Sequence, residues 1–142
     1  MDVIQSIPGR RAYSYVDSAD GRGKNVIHKW LDDNEVSGAD RSALQNLIDI
    51  YENNGLHAVV TCVIDLENGF YGLLTKRKGG VYPCPIFCLG PFAENEITLL
   101  AGASWDMKKK RLKPLYADGI AQENLEALLE RRGSRRHEPI TD

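Results

Sequence analysis

Residues 69–111 read GFYGLLTKRKGGVYPCPIFCLGPFAENEITLLAGASWDMKKKR, and this stretch decides the fold. Apolar runs at 70–75, 86–89 and 97–105 predict three β-strands. A lysine and two glycines at 78–80 suit the turn after the first strand, and a polar segment suits the turn after the second. Since strands that follow one another in sequence usually pair, an antiparallel meander is expected here.

Helical periodicity lies on both sides of this stretch. Residues 24–33 predict a first helix, and a second begins after Ser37, which resembles a capping residue, and ends at Gly55. An alternating segment at 10–18 predicts an early strand, and a last helix follows Pro114. The positions expected to be buried between helices and sheet are Trp30, Leu44, Leu47, Ile48, Phe87, Leu99 and Leu100. The apolar stripe expected on the last helix comprises Ile120, Ala121, Leu125, Leu128 and Leu129.

Residues 56–66 allow two interpretations. Their β-branched side chains and the Asn68-Gly69 turn signal favour a strand, and an extended connector is the alternative. With the other elements this predicts a single α+β domain over 1–142. Two N-terminal helices would pack on a twisted antiparallel sheet of at least four strands, with a C-terminal helix. The folded core is expected over about 10–130, and 131–142 as a polar, arginine-rich tail that frays.

The composition is that of an ordinary soluble globular domain. Of 142 residues, 42% are hydrophobic and 27% charged, and no apolar run reaches the length of a membrane helix. The N-terminus lacks the apolar core of a secretory signal, and three cysteines are too few for a disulfide framework. We therefore expect a cytoplasmic protein without membrane contact, metal or cofactor.

The charge is distributed unevenly along the chain. Residues 1–70 hold six Lys/Arg and eleven Asp/Glu, whereas 71–142 hold twelve and nine. The first half is therefore acidic and the second basic, although the whole chain has a net charge of -2. The cations concentrate at 76–78 and 108–111, at the ends of predicted strands. Such a basic half favours an anionic ligand, whereas charged hairpin ends that serve only solubility are the simpler alternative.

Several short motifs occur in a fixed order along the chain. They are Gly21-Arg22, Trp30-Leu31, Gly55, NGFYGLL at 68–74, ITLLAG at 97–102 followed by lysines at 108–110, and Pro114 with Ile120-Ala121. In this order, over roughly residues 11–130, the chain resembles the RelE/ParE superfamily of type II toxins, in particular its HigB-like, phage-derived branch. The resemblance implies a RelE-like fold.

The resemblance also implies an activity. Toxins of this kind cut mRNA, commonly on the ribosome, by attack of a ribose 2′-hydroxyl on the adjacent phosphate, without a metal. The implied partners are a cognate antitoxin, mRNA and the ribosome. The reaction needs cations on the phosphate and groups that move protons. The expected catalytic residues are Lys76, Arg77, Tyr82, Lys108 and Lys109, and the expected RNA-binding residues are Tyr71, Lys78, Lys110 and Arg111.

Three departures from the family pattern favour other functions. Leu74 stands where the family usually has an arginine, and Ala103 or Trp105 stands where an aromatic residue precedes the lysines. Pro83 follows Tyr82 where an arginine is usual. A catalytically inactive RelE-fold module that docks a protein or RNA is therefore the main alternative, and a toxin that acts on gyrase is a third.

Overall fold

The computed structural model describes residues 10–141. Its strands are β1 (Arg11–Val16), β2 (Val63–Asp65), β3 (Phe70–Leu73), β4 (Val81–Pro83), β5 (Ile86–Leu89), β6 (Glu96–Ala101), β7 (Ser104–Asp106), β8 (Arg111–Lys113) and β9 (Ser134–Arg136). Its α-helices are α1 (Val26–Asp33), α2 (Gly38–Asn54) and α3 (Ala117–Leu129), and a 3-10 helix covers Leu56–Cys62. The structure is thus α+β, as predicted.

Six strands form the main sheet in the order β2-β3-β5-β6-β1-β9. Strands β3, β5 and β6 make the predicted antiparallel meander. Strand β1, however, joins β6 in parallel, so the sheet is mixed and the expectation of a wholly antiparallel sheet was wrong. The connection from β1 to β6 contains two α-helices, the 3-10 helix and strands β2 to β5 rather than a hairpin, and parallel pairing requires such a long connection.

Helices cover both faces of the main sheet. Leu31 of α1 and Leu44 of α2 pack with Leu99 on one face. Ala121 of α3 packs with Leu100 on the other. Strand β6 is therefore buried along its whole length, which explains the apolar run from Ile97 to Ala101 that only Thr98 interrupts.

Most of the predicted core is confirmed. Leu44, Ile48, Phe87, Leu99 and Leu100 are buried. Trp30 and Leu47 are only half-buried, although both pack against the core.

The apolar stripe expected on the last helix is partly wrong. Ala121 and Leu128 are buried, as expected, and Leu125 packs half-buried against them. Ile120 and Leu129 are exposed, and Ala117, which was not predicted, is buried with the stripe.

The segment 56–66 combines both interpretations. It begins as the 3-10 helix and ends as β2, which pairs with β3 in antiparallel orientation. In the turn between them, the Phe70 N–H donates to the Glu67 carbonyl at 3.1 Å. Asn68 and Gly69 have φ of 56° and 86°, the positive values that a type I′ turn requires at both central residues. The hairpin predicted from Asn68-Gly69 is confirmed.

The C-terminal segment does not fray as expected. Strand β9 pairs with β1, and Ile140 is buried. The Arg135 guanidinium makes two hydrogen bonds to the Glu96 carboxylate, at 2.6 and 3.1 Å. It also lies 3.8 Å from the Tyr13 ring centroid and 4.7 Å from that of Phe92. This arginine anchors a segment whose composition alone indicates a solvated tail.

The predicted strand at 97–105 is divided into β6 and β7. After Ala101 the chain leaves the main sheet, and β7 becomes the centre of a small antiparallel sheet of order β4-β7-β8. No helix among the described residues is long and apolar enough to cross a membrane. The basic residues at 76–78 lie in the loop before β4 of this small sheet, and those at 108–110 lie in the turn between β7 and β8.

Candidate nucleic-acid interface

The two basic clusters of the sequence meet at one end of the small sheet. Val81 of β4 pairs with Asp106 of β7, which pairs in turn with Arg111 of β8. Directly beyond this row, the Met107 N–H donates to the Gly80 carbonyl at 2.9 Å. The loop before β4 and the turn between β7 and β8 therefore lie side by side. We call this region the basic end; its cations are Lys76, Arg77, Lys78, Lys108, Lys109, Lys110 and Arg111.

Asp106 organises the turn between β7 and β8. Its carboxylate accepts the backbone N–H groups of Lys108 and Lys109, both at 3.0 Å. The bond from the Lys109 N–H is the largest cause that lowers the pKa of Asp106; burial opposes it, and the Lys108 N–H and the charges of Lys109 and Arg111 add to the lowering. The one acidic side chain of this turn is thus committed to the backbone.

The lysines of the basic end project into solvent. Lys78, Lys108, Lys109 and Lys110 are exposed. Their ammonium groups make no hydrogen bond or ion pair with any residue between 10 and 141. A cluster of exposed ammonium groups of one sign attracts phosphate.

The loop before β4 is anchored by Arg77. Its Nε donates to the Thr61 carbonyl at 2.7 Å, and one terminal nitrogen donates to the Val63 carbonyl at 3.0 Å. The expected catalytic arginine therefore holds the loop against β2, and this orients its neighbours Lys76 and Lys78.

Tyr82 and Lys76 lie together. The Tyr82 hydroxyl donates to the Gly79 carbonyl at 2.9 Å and so closes the loop. The Lys76 ammonium lies 5.8 Å from the centroid of the Tyr82 ring, within the range of a cation–π contact. Both side chains therefore lie at the basic end.

Tyr71 is the predicted site residue that the structure places elsewhere. It belongs to β3 of the main sheet, where its ring stacks on that of Phe87 with a centroid distance of 5.7 Å. It is half-buried and packs against the core beneath α1 and α2. Tyr71 is therefore a packing residue, because the alternation of β3 points it to the helix-covered face.

Sequence reasoning missed a cavity beside the basic end. It has a volume of about 540 Å³ and lies between the α1–α2 turn and the small sheet. Lys113 lines this cavity and also a smaller one of about 130 Å³ that includes Lys109 and Arg111. The spacing of Arg111 and Lys113, two residues apart on one strand, is the signal that places both on one face. Trp30, which we expected in the core, lines the larger cavity.

The two buried cysteines, Cys84 and Cys88, do not contribute to this site as nucleophiles. Burial raises the pKa of Cys84 to about 12 and that of Cys88 to about 11, so both thiols stay protonated at neutral pH. Across the described part of the chain, no group of three or more His, Cys, Asp or Glu side chains is arranged to hold a metal ion.

Comparison of the chain with protein-family models, with curated proteins and with solved structures found no match. The site itself consists of two lysine-rich loops, distant in sequence, that form one cationic surface beside a cavity.

Proposed function

We propose that the basic end binds single-stranded RNA. The observation that carries the proposal is the contact between Gly80 and Met107, which joins two lysine clusters into one surface. The ammonium groups of Lys78, Lys108, Lys109 and Lys110 make no hydrogen bond or ion pair within the described structure, and Asp106 is the one carboxylate of the turn, so the basic end keeps a net positive charge. Phosphates binding there would release counterions, the dominant source of affinity in such complexes.

We further propose that the protein cleaves mRNA as a metal-independent endoribonuclease of the toxin type. In this reaction the ribose 2′-oxygen bonds to the adjacent phosphorus and the bond from phosphorus to the 5′-oxygen breaks. The 2′-hydroxyl gives its proton to solvent, and a lysine ammonium supplies one to the leaving oxygen. The products are a 2′,3′-cyclic phosphate and a 5′-hydroxyl. Lys76, Lys108 and Lys109 would stabilise the charge that develops on the phosphorane.

The proposed function includes a partner and a compartment. A toxin that acts on message works in the cytoplasm and must be neutralised there by a cognate antitoxin. An acidic segment of that antitoxin, laid over the basic end, would compete directly with RNA. The predicted consequence is that RNA and antitoxin exclude each other.

A second candidate function is RNA binding without cleavage. It is favoured by the internal hydrogen bonds of two expected catalytic residues: Arg77 is bound to two backbone carbonyls, and the Tyr82 hydroxyl to a third. Side chains committed in this way stabilise the loop and have less freedom to act on a substrate. The same fold would then dock on RNA and leave it intact.

One experiment separates the two functions. The purified protein is incubated with 5′-labelled message, free and ribosome-bound, and both binding and the chemical nature of the product ends are measured. The variant K78A/K108A/K109A is compared with R22A/K29A/R132A, which removes three exposed cations elsewhere. Lys110 is left intact, since its φ of 52° disfavours alanine.

The two functions predict different outcomes. Cyclic phosphate ends that disappear only in K78A/K108A/K109A support the nuclease. If none of the three proteins cleaves the RNA and only K78A/K108A/K109A loses RNA binding, the docking module is supported. Failure of the unmodified protein to bind RNA at all would contradict both.

A further inference from the structure

The cavity of about 540 Å³ beside the basic end has the size of a small-molecule site. One wall comes from the α1–α2 turn, and the other from one face of the small sheet. The lining residues that matter to its chemistry are Trp30, Glu35, Asp40, Val81, Pro83 and Lys113.

The turn that forms one wall is rigid. Arg41 donates from Nε to the Val36 carbonyl and from a terminal nitrogen to the Leu31 carbonyl, both at 2.9 Å. It also pairs with Asp32 at 2.7 Å. The cavity is therefore formed before any ligand enters, which lowers the entropic cost of binding.

Its chemistry combines flat apolar surface with hydrogen-bond acceptors. The indole of Trp30 and the side chains of Val81 and Pro83 provide the apolar part. The carboxylates of Glu35 and Asp40 make no hydrogen bond or ion pair to any residue that the structure describes. These carboxylates repel phosphate and accept N–H groups, which suits an uncharged aromatic ring with N–H donors on its edge.

The cavity is joined to the basic end through β8. Lys113 and Arg111 are two residues apart on this strand and share a face, and Lys113 lines both the large cavity and the smaller one at the basic end. A nucleic-acid strand whose phosphates follow these cations passes the mouth of the large cavity. A base is the part of that strand that matches its interior.

We infer that this cavity binds one base of the RNA strand, stacked on Trp30 and held by Glu35 or Asp40, with guanine preferred. Guanine is the base whose Watson–Crick edge presents two adjacent N–H donors to a single carboxylate, whereas uracil presents one N–H flanked by two carbonyl oxygens. Stacking on aromatic side chains and hydrogen bonding to that edge is how proteins read unpaired RNA bases. The inference rests on the proposed RNA-binding function and adds a base preference to it.

A cationic side chain of a protein partner is the competing occupant. It would also stack on Trp30 and pair with the carboxylates. Lys113, in the same lining, disfavours it by like-charge repulsion. The competition is resolved by measurement with a short arginine-containing peptide as a second probe.

The test measures the affinity of fluorescein-labelled U6 and of the same hexamer with one uridine replaced by G, A or C. Fluorescence anisotropy at a fixed salt concentration gives each Kd. We expect the G-containing hexamer to bind about 10-fold more tightly than U6, the scale of one stacked and hydrogen-bonded base. In E35Q/D40N this preference should vanish while the affinity for U6 does not fall, because removing acids does not weaken phosphate binding.

The control is E123Q/E126Q, which removes the same two negative charges from exposed positions on α3. W30A should also remove the preference for guanine without changing the salt dependence of U6 binding. Because Trp30 packs tightly against Gly102, where an added Cβ would lie 2.1 Å from its Cγ, W30A could fail to fold. E35Q/D40N, which alters only polar groups at the surface of the cavity, then decides the question.

Equal affinity for all four hexamers would overturn the base pocket and leave RNA binding intact. A preference for guanine that is unchanged in E35Q/D40N would overturn the base pocket as well. It would also be overturned if the cavity binds the arginine peptide rather than a base, with an affinity that E35Q/D40N reduces. No binding to any hexamer would instead contradict the proposed function itself.

Discussion

Replacing Arg135 by alanine tests the finding that the C-terminal segment is part of the folded domain. Arg135 and Glu96 form a buried ion pair, with side chains that are 15% and 7% exposed. Removing one partner of a buried pair typically costs about 3–5 kcal/mol, because the other charge is left without compensation. The contacts of the guanidinium with the Tyr13 and Phe92 rings add about 0.5–1 kcal/mol each.

The carboxylate of Glu96 keeps two neutral partners in this variant, the backbone N–H groups of Phe92 and Ala93. The Phe92 N–H still donates to it at 3.0 Å, which moderates the loss. We therefore expect R135A to lower the free energy of unfolding by about 4 kcal/mol, a large part of the roughly 5–15 kcal/mol that stabilises a domain. Equilibrium urea denaturation followed by circular dichroism measures it, and the Tm should fall by about 10 °C.

Arg132 provides the matched control. It pairs with Glu130 at 2.7 Å, but both side chains are 62% exposed. Exposed pairs contribute little, so R132A should change stability by no more than about 0.5 kcal/mol. If R135A is no more damaging than R132A, the anchoring role of Arg135 and the placement of β9 are refuted.

Three other predictions address acid stability, packing and the basic turn. Burial opposes ionisation of Glu96, but the hydrogen bonds from Arg135 and the Phe92 N–H outweigh it and lower the pKa of Glu96. The stability that ionised Glu96 contributes is therefore present above the unfolded-state pKa of about 4.3 and is lost as pH falls through the folded-state pKa. E96Q should flatten this loss of stability in acid, and a pH profile of denaturation that E96Q leaves unchanged would contradict the prediction. G102A places a Cβ 2.1 Å from Trp30 and should lower the free energy of unfolding by about 1–3 kcal/mol. As a control, G119A in α3 places a Cβ with nothing within 4 Å and should be neutral or stabilising. Equal melting temperatures of the two variants would argue against tight packing of Trp30 on Gly102. D106A removes the acceptor of two backbone N–H groups and should weaken both RNA binding and stability by about 1 kcal/mol. D106N should restore part of both losses. Stronger RNA binding by D106A would show instead that the negative charge of Asp106 matters more than the turn that its carboxylate holds.

Local signals predicted a large share of the fold. The meander of β3, β5 and β6 follows from apolar runs separated by turn residues, and the N-cap of α2 follows from Ser37, whose hydroxyl accepts the Asp40 N–H at 3.1 Å. Gly55 ends α2 with a φ of 96°, which glycine adopts readily. Each of these features depends on residues close in sequence.

The features that sequence reasoning missed depend on contacts between distant residues. Arg135 and Glu96 are 39 positions apart, and nothing in the composition of 131–141 indicates that an arginine there is buried. The parallel placement of β1 likewise depends on packing rather than on a turn. The division of 97–105 into β6 and β7 follows from the second sheet, which has no local signature.

The candidate site shows the same division. The sequence identified both lysine clusters but could not show that they meet, because a contact between Gly80 and Met107 is not encoded in either segment alone. It assigned Tyr71 to the site because aromatic residues suit RNA, whereas the pairing of β3 with β5 places that ring on Phe87. Trp30 was assigned to the core from its position on the same helical face as Leu31; it packs against the core but also lines the cavity, which a periodicity cannot show.

The most direct test of the central claim is the salt dependence of binding to one short RNA. Affinities for a single-stranded hexanucleotide are measured at several salt concentrations for the unmodified protein, K76A/K78A, K108A/K109A and the combined variant. If both clusters hold phosphates of the same strand, each pair of substitutions should reduce the slope of log affinity against log salt by about 1.4, and the combination by about 2.8. A slope that responds to one pair and not to the other would contradict the claim that the two clusters form one phosphate-binding surface.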